Sequence, residues 1–288
     1  MATIRNPIEW GWAQLRETAH AVGSASRAMA GSLEHHATPL PAVRRITIAD
    51  LKTALARGVE DFGAYRTDVL FIGLIYPVIG LVLVRLAFGY DMLPVLFPLA
   101  SGFTLVGPVA AVGLYEMSRR REQGAEISWA DAFGVVRSPA FGGIAVLGLL
   151  LLAIFLAWLL AAMLIYDATL GPAPPASIAG FARDVLTTVN GWALVFFGVG
   201  AGFLFAVLVL TISVVSFPLL LDRPVGLGGA IRTSVRAVAA NPMPMVAWGL
   251  IVAGGLVLGT IPVFLGLVFV MPVLGHATWH LYRTVVER

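Results

Sequence analysis

The chain has 288 residues, of which 59% are hydrophobic and only 12% are charged, and its mean hydropathy is +0.89. A soluble domain carries about twice that charged fraction, so the composition excludes an ordinary soluble protein and predicts a membrane protein. The chain has no cysteine, which excludes disulfides, thiolate metal sites and a cysteine nucleophile.

Residues 1–41 are predicted to form a cytoplasmic tail. In the first part of the tail, apolar residues recur at the spacing of a helix. These residues are Ile8, Trp12, Leu15, Ala19 and Val22. This spacing favours an amphipathic helix on the inner leaflet over a disordered tail. Because the tail lacks the continuous apolar core of a secretory signal peptide, the first membrane span is expected to act as the insertion signal.

Residues 42–288 are predicted to form an all-α polytopic bundle of six transmembrane helices. A span needs about 20 mostly apolar residues, and such runs lie near residues 69–88, 94–117, 139–166 and 191–221. The final apolar stretch, from Met243 to Tyr282, is too long for one crossing. A break near Pro262 divides it into spans near residues 243–261 and 263–282.

The distribution of basic residues supports six spans. Of the 19 lysines and arginines, all but Arg85 and Arg183 then fall on one side of the membrane. Basic residues concentrate in cytoplasmic loops, so both termini are predicted to be cytoplasmic. The arginine-rich inner face is expected to bind anionic lipid headgroups.

The membrane region also divides into three similar units, roughly residues 42–122, 123–223 and 224–288. Each unit opens with an amphipathic segment and closes on a helical hairpin whose second span contains a proline. These prolines are Pro108, Pro218 and Pro272. Since proline is common in membrane helices, chance similarity stays open beside a true threefold repeat.

Setting these prolines in register brings titratable side chains to one depth. The register makes Glu116 equivalent to His280, and Asp222 equivalent to His276. His276 and His280 are four residues apart, so they share a helix face and suit two ligands of a transition metal. A third ligand is usual, for which Glu116 is the best candidate and Asp222 a weaker one. Hydrogen bonding of both histidines at the membrane interface is the favoured interpretation, and the metal site is the alternative.

Tyr115 and Glu116 end the second predicted span, directly before an arginine cluster at residues 119–121. An acidic residue at this depth is unfavourable unless it is paired. Arg119 or Arg120, three or four residues further on, is therefore the expected partner. Structural anchoring is favoured here, and a functional carboxylate is the alternative.

Two glycine pairs are spaced to lie on one helix face each, Gly198 with Gly202 and Gly255 with Gly259. A missing side chain lets two helix backbones approach closely. We interpret these pairs as helix contacts within one chain rather than as a dimer face.

Catalytic signatures are missing from the sequence, so no enzymatic activity is expected. It contains no phosphate-binding loop ending in Gly-Lys-Ser/Thr, no nucleophile elbow and no His-Glu-x-x-His pattern. The predicted middle of spans two to six carries no charged residue, which argues against ion-coupled transport and against a haem at mid-depth. No nucleic-acid partner is predicted, and no cofactor apart from a transition metal at His276 and His280.

Residues 101–121 (SGFTLVGPVAAVGLYEMSRRR) and 273–283 (VLGHATWHLYR) carry a family resemblance. Over about residues 44–286 the chain resembles a bacterial family of uncharacterised multi-pass membrane proteins, some of them labelled as cytochrome c oxidase subunits. The resemblance implies a bacterial inner-membrane location and a loose association with respiratory oxidases. With five histidines in all, the chain has too few for a catalytic oxidase core, which implies an accessory or assembly component.

The sequence therefore predicts a non-enzymatic inner-membrane protein, an accessory, scaffold or assembly factor whose partner is a membrane protein such as a respiratory complex. The alternative is a transporter or channel-like carrier for a metal ion, a lipid or a small solute. Its site would lie at the cytoplasmic ends of the helices, among Glu116, Asp222, His276 and His280. A metal- or haem-binding redox protein is a third hypothesis.

Overall fold

A computed structural model describes residues 39–64, 93–125, 138–173, 177–262 and 264–287, with isolated positions between these ranges. The predicted tail helix and nearly all of the first predicted span lie outside the described residues. Every regular element within the described ranges is a helix, which confirms the all-helical class.

The helices, in chain order, follow the predicted spans closely wherever the two can be compared. They are α1 (Ile48–Ala64), α2 (Leu93–Ala110), α3 (Val112–Glu122), α4 (Phe141–Thr169), α5 (Ile178–Thr187), α6 (Val189–Ser213), α7 (Ser216–Asp222), α8 (Gly226–Ala240), α9 (Pro242–Thr260) and α10 (Leu267–Val285). The unit formed by α8, α9 and α10 has the predicted order of an amphipathic helix and a hairpin. The threefold repeat itself stays a prediction.

Three stretches of the described chain are long and apolar enough to cross a membrane, namely Phe141–Thr169, Val189–Asp222 and Pro242–Thr260. Only 22% of the apolar window in α4 and 28% of that in α9 are buried inside the protein. Apolar helices with so much exposed surface are suited to face lipid. The full count of six spans stays a prediction.

Helix α10 is the hub of the described fold. Twelve of its 19 residues are buried, and α1, α3, α7 and α9 all pack against it. It carries His276, Thr278 and His280 among its apolar residues, and it is not one of the three stretches that qualify as spans. Burial against other helices, rather than against lipid, therefore dominates the surroundings of α10.

Helix α1 lies antiparallel to α10 and in close contact with it. At Gly58 an added Cβ would lie 2.8 Å from the carbonyl oxygen of Val273 and 2.7 Å from the Cβ of Ala277. The sequence predicts an amphipathic helix here, and the structure shows that its buried stripe rests on protein. A glycine is needed at the crossing because any side chain would meet the α10 backbone.

The segment before α1 is tied to the end of α10 and to the α8–α9 junction. The backbone N–H of Arg44 donates to the carbonyl of Val285 at 2.7 Å. The side chain of Asn241, between α8 and α9, accepts from the N–H of Ile46 at 2.7 Å and donates to the carbonyl of Arg44 at 2.9 Å. These bonds fix the depth at which α1 docks.

The glycine contacts predicted within the chain are found at three of the four positions. A Cβ on Gly202 would lie 3.1 Å from the ring of Trp158 on α4, and Gly255 and Gly259 face α10 or the turn before it. At Gly198, none of the described residues comes within 4 Å of an added Cβ. The contacts at Gly255 and Gly259 hold α9 against α10.

Ser234 of α8 stabilises the break between α6 and α7. Its hydroxyl donates to the carbonyl of Thr211 at 2.8 Å and accepts from the N–H of Val215 at 3.3 Å. These two backbone groups would pair with each other in a continuous helix, so the serine satisfies both where the helix is interrupted. The resulting bend brings the end of α7, with Asp222, to α10.

Candidate functional site

One end of the bundle, here called the polar end, holds Asp61, Glu116, Asp222, His276 and His280. These residues come from α1, α3, α7 and α10. The side chains at this end form two hydrogen-bonded networks and one local ion-pair cluster. The predicted gathering of titratable groups is therefore found, but the individual pairs differ from those that the proline register suggests.

Asp61 on α1 is the centre of the first network. Its carboxylate accepts hydrogen bonds from Ser118 Oγ at 2.5 Å and from Arg121 Nη1 at 2.6 Å, both on α3. On α10, His280 Nε2 lies 2.9 Å from the same carboxylate, and His276 Nδ1 lies 2.8 Å from Ser118 Oγ. A single carboxylate thus joins α1, α3 and α10.

The hydroxyl of Ser118 determines how His276 is protonated. The hydroxyl has one proton and gives it to Asp61, so its oxygen must accept from Nδ1–H of His276. The His276 ring is 0% exposed, and its Nε2 makes no hydrogen bond of normal geometry among the described residues. His276 therefore serves as an internal donor that is closed to solvent.

The environment of Asp61 favours its charged form. Burial by itself raises the pKa of the carboxyl group, but hydrogen bonds from His280 and Ser118 and the nearby histidine charges outweigh burial. The pKa of Asp61 therefore lies below its usual value of 3.8. At neutral pH the network is built around an anion.

Glu116 is buried at the start of the arginine cluster. Its carboxylate accepts hydrogen bonds from Nε and Nη2 of Arg119 at 2.7 and 2.9 Å and from Nε of Arg120 at 2.7 Å. The predicted pairing is confirmed, and both arginines take part. The hydrogen bond to Glu116 raises the pKa of Arg119, burial lowers it, and the charge of Asp222 adds to the net upward shift.

Asp222 at the end of α7 is the centre of the second network. It accepts from Tyr282 Oη at 2.6 Å and from Arg283 Nη1 at 3.2 Å. Arg283 also donates from Nη2 to Glu122 of α3 at 2.8 Å, and the other oxygen of Glu122 accepts from Trp279 Nε1 at 3.2 Å. This network fastens α3 and α7 to the last turns of α10.

No three histidine, aspartate or glutamate side chains in the described part of the chain are placed to hold one metal ion. His276 and His280 are grouped around Asp61, whereas Glu116 is turned to its two arginines. A metal at His276, His280 and Glu116 would require these groups to exchange their partners. The metal site stays a prediction.

Ser118, His276 and Asp61 are the residue types of a hydrolase triad, but their arrangement differs from one. The serine gives its proton to the aspartate instead of to the histidine, whereas a nucleophilic serine needs the histidine as its base. The exposed fractions of Ser118, His276 and Asp61 are 1%, 0% and 4%. This cluster therefore presents no reactive group to a substrate.

Asp61 was not among the residues that the sequence singled out. The buried residues of α1 are Leu51, Ala54, Gly58 and Asp61, which form one stripe along the helix. An acidic residue within a buried stripe needs a partner on another element. The location of Asp61 in line with the apolar stripe of α1 is therefore the sequence feature that could have identified it.

Beside the polar end, an apolar cavity of about 360 Å³ lies between α6, α9 and α10. Its floor includes Trp248 and Met245, each 1% exposed, and its rim includes the exposed side chains of Phe203 and Leu250. The predicted site residue Tyr115, on α3, lines the cavity. The cavity thus opens on the apolar outer surface of the bundle.

Comparison with known proteins gives a match to a family model over part of the chain. Residues 96–222 match the model of a protein family described as a predicted integral membrane protein, DUF2189. No curated protein and no solved structure matches the chain. The match supports an integral membrane protein of an uncharacterised family, and a link to cytochrome c oxidase stays a prediction.

Proposed function

We propose that the protein is a non-enzymatic component of the bacterial inner membrane, which acts as an accessory, scaffold or assembly factor for a membrane protein complex. The polar end lies in the cytoplasm in this proposal, as the distribution of arginines predicts. One observation carries the proposal. At the polar end, the buried carboxylates of Asp61 and Glu116 are already hydrogen-bonded to donors of the same chain, so they offer no free ligand to a cargo.

This closure favours a structural role over a transport site. Asp61 binds Ser118 and Arg121 on another helix, and Glu116 binds the next arginines of its own helix. Removing one partner from such a buried pair costs about 3–5 kcal/mol. A cargo ion would have to replace these partners in every cycle, whereas a scaffold gains rigidity from them.

A membrane partner would contact the apolar outer faces of the bundle. Helix α6 exposes large aromatic side chains, among them Phe196, which is 75% exposed, and Phe203, which is 61% exposed. Aromatic side chains are enriched at protein interfaces. A respiratory oxidase is the first partner to test, because the family resemblance implies one.

Site-specific photo-crosslinking in native membranes tests this proposal. A photoreactive phenylalanine analogue would replace Phe196 or Phe203 on α6, and in matched samples Leu156 or Leu160 on α4. We expect one discrete protein adduct from one of the two faces, together with co-purification of that protein in mild detergent. Adducts with lipid alone from both faces, and no co-purifying protein, would contradict the accessory role.

A carrier function is the second candidate, and the cavity is the observation that favours it. Because the cavity lining is mostly apolar side chains, it suits a lipid or an apolar solute better than a metal ion. Elemental analysis and an absorption spectrum of the purified protein separate these cases. A stoichiometric metal or a haem band would favour a site at His276 and His280 over both an accessory role and a lipid carrier.

A further inference from the structure

We infer that α5 is an interfacial helix, which lies along the membrane surface at the end of the bundle opposite the polar end. Its exposed apolar stripe, formed by Ile178, Ala182 and Leu186, inserts into the lipid of that leaflet. In the proposed orientation this is the outer leaflet. The inference goes beyond the accessory role and does not depend on it.

The position of α5 follows from the two spans that it connects. Near the start of α4, a Cβ added to Gly143 would lie 3.3 Å from the side chain of Leu220 on α7, so this end of α4 lies at the polar end. Helix α4 has 29 residues, and at about 1.5 Å per residue its last turn is roughly 40 Å away. Helix α6 begins beyond α5 and runs back to α7. Helix α5 therefore lies at the far end of this pair of spans.

Aromatic residues at the ends of both spans contact α5. The ring centroid of Tyr166, in the last turn of α4, lies 6.4 Å from that of Phe181 on α5. The indole N–H of Trp192, in the first turn of α6, donates to the carbonyl of Leu186 at 3.1 Å. Tyrosine and tryptophan at the ends of spans are typical of the membrane–water interface. Two points along α5 are therefore held at the level of the interface, so its axis runs along the surface.

Thr188 prevents α5 from continuing into α6. Its backbone is extended, with φ −104° and ψ 154°, and its hydroxyl accepts from the N–H of Gly191 at 2.9 Å, which caps the start of α6. A Cβ added to Gly191 would lie 2.5 Å from the Cα of Val185. Helix α5 therefore packs directly on the first turn of α6 instead of extending its axis away from the membrane.

The apolar stripe of α5 is not covered by the part of the chain that the structure describes. No residue of α5 is buried, and Ile178 and Leu186 are 56% and 62% exposed. With Ala182 they are spaced four residues apart, so they form one stripe along the helix. The lipid-facing surface of α4 reaches this level, since Leu164, two residues before Tyr166, is 60% exposed. An exposed apolar stripe beside such a surface is stabilised by entering the lipid.

Polar residues flank the stripe on the exposed side of α5. Arg183 and Thr187 are both exposed and are four residues apart. The Arg183 side chain is 78% exposed, and its Nε lies 3.8 Å from Oδ1 of Asp184. A long arginine side chain stays at headgroup level while a neighbouring apolar stripe enters the lipid. This position accounts for one of the two basic residues that depart from the predicted charge distribution.

Depth measurements on spin-labelled single-cysteine variants test the inference on the full chain in vesicles, because the chain has no cysteine of its own. Leu186→Cys and Ala182→Cys probe the stripe, Thr187→Cys is the matched position on the polar flank, and Leu156→Cys, at an exposed position of α4, is the lipid reference. Collisions with oxygen and with a water-soluble nickel chelate give the depth of each label. We expect the stripe labels about 5–10 Å below headgroup level, and the Thr187→Cys label at that level or above it.

Two double variants test whether the stripe itself holds α5 in the lipid. With the label at Ala182→Cys, Ile178→Gln with Leu186→Gln removes the stripe and should move the label toward water by about 5 Å or more. Arg183→Gln with Thr187→Gln changes the polar flank instead and should leave the label at its depth. All four side chains are exposed, so both variants keep the contact between Phe181 and Tyr166.

Three outcomes would overturn the inference. A Leu186→Cys label that the nickel chelate reaches as readily as the Thr187→Cys label would place α5 in water. A label that neither reagent reaches would show that a partner protein or a second copy of the chain covers the stripe. A label depth unchanged by Ile178→Gln with Leu186→Gln would show that the spans alone position α5. Crosslinking from α4 and α6 is measured separately, so failure here leaves the accessory role standing.

Discussion

The two sides of α10 differ in what they pack against: one carries a buried polar network and the other lines an apolar cavity. On one side, His276 and His280 join Asp61 in a polar network whose carboxylate is paired with donors on α3 and α10. On the other, Leu274 and Thr278 line a cavity of about 360 Å³ that no side chain of the described residues fills. Charged side chains at the polar end join helices that are far apart in sequence. The cavity on the other side is lined mostly by apolar side chains and is open to the lipid. Stability is thus concentrated at the polar end and binding capacity at the cavity.

The largest effect is expected from removing the carboxylate that joins three helices. Asp61→Ala leaves Ser118, His280 and Arg121 without their shared acceptor and should cost about 3 kcal/mol of unfolding free energy. Thermal unfolding in mild detergent measures the loss. Glu60→Ala, at the exposed neighbouring position of α1, should stay within about 0.5 kcal/mol of the wild type. Equal losses for both variants would refute the central role of Asp61.

A smaller effect is expected at the α1–α10 crossing. Gly58→Ala adds a Cβ that would lie 2.7–2.8 Å from Ala277 and Val273 atoms, so it should cost about 1–3 kcal/mol through overpacking. Hydrogen exchange of the α1 amides should accelerate as the helix undocks. Gly63→Ala, on the same helix, is the matched control, because no described atom lies within 4 Å of a Cβ added there. It should leave exchange along α1 as slow as in the wild type.

Acid should weaken the polar end gradually. Because the pKa of Asp61 is lowered in the folded state, its stabilising contribution is complete above the usual value of 3.8 and is lost as pH falls below it. The melting temperature of the wild type should therefore fall more steeply below that pH than that of Asp61→Asn. Parallel curves for the two proteins would mean that other carboxylates dominate acid unfolding. Glu60→Gln should follow the wild type.

The smallest effect is expected at the cavity. Ala253→Phe places a ring in empty space and should change the unfolding free energy by no more than about 0.5 kcal/mol. Ala277→Phe introduces the same ring at a fully buried position of α10 and should be destabilising by about 1–3 kcal/mol or more. Thermal unfolding of the two variants compares a cavity-lining position of α9 directly with a fully buried position of α10. A large loss for Ala253→Phe would show that the cavity is already filled by protein.

The positions of the helices and the ion pairs within one helix could be predicted from the sequence. Run length and charge placed helices near residues 139–166, 191–221 and 243–261, because hydrophobicity and helical hydrogen bonding act locally. The pairing of Glu116 with Arg119 and Arg120 was also predicted, since residues three or four apart on a helix are neighbours. Pro262, at the end of α9, was correctly placed at the break before the last helix.

The hydrogen-bond partners of His276 and His280 could not be predicted from local sequence patterns, because they lie on other helices. His276 and His280 share one helix face, as their spacing predicts, but the register of the repeat predicts Glu116 as their neighbour. The carboxylate beside His280 is instead that of Asp61, which lies more than 200 residues earlier in the chain. Only the antiparallel docking of α1 through Gly58 brings that carboxylate to α10.

The sequence by itself determined that this is a membrane protein of apolar helices, and it predicts that most of the basic residues lie on one side of the membrane. Composition and spacing carry that information because each helix is stabilised by bonds within itself and by the solvent it faces. The tertiary structure decided which charges meet, which face of α10 is sealed and where a cavity stays open. Those outcomes depend on contacts between residues distant along the chain, and no local pattern encodes them.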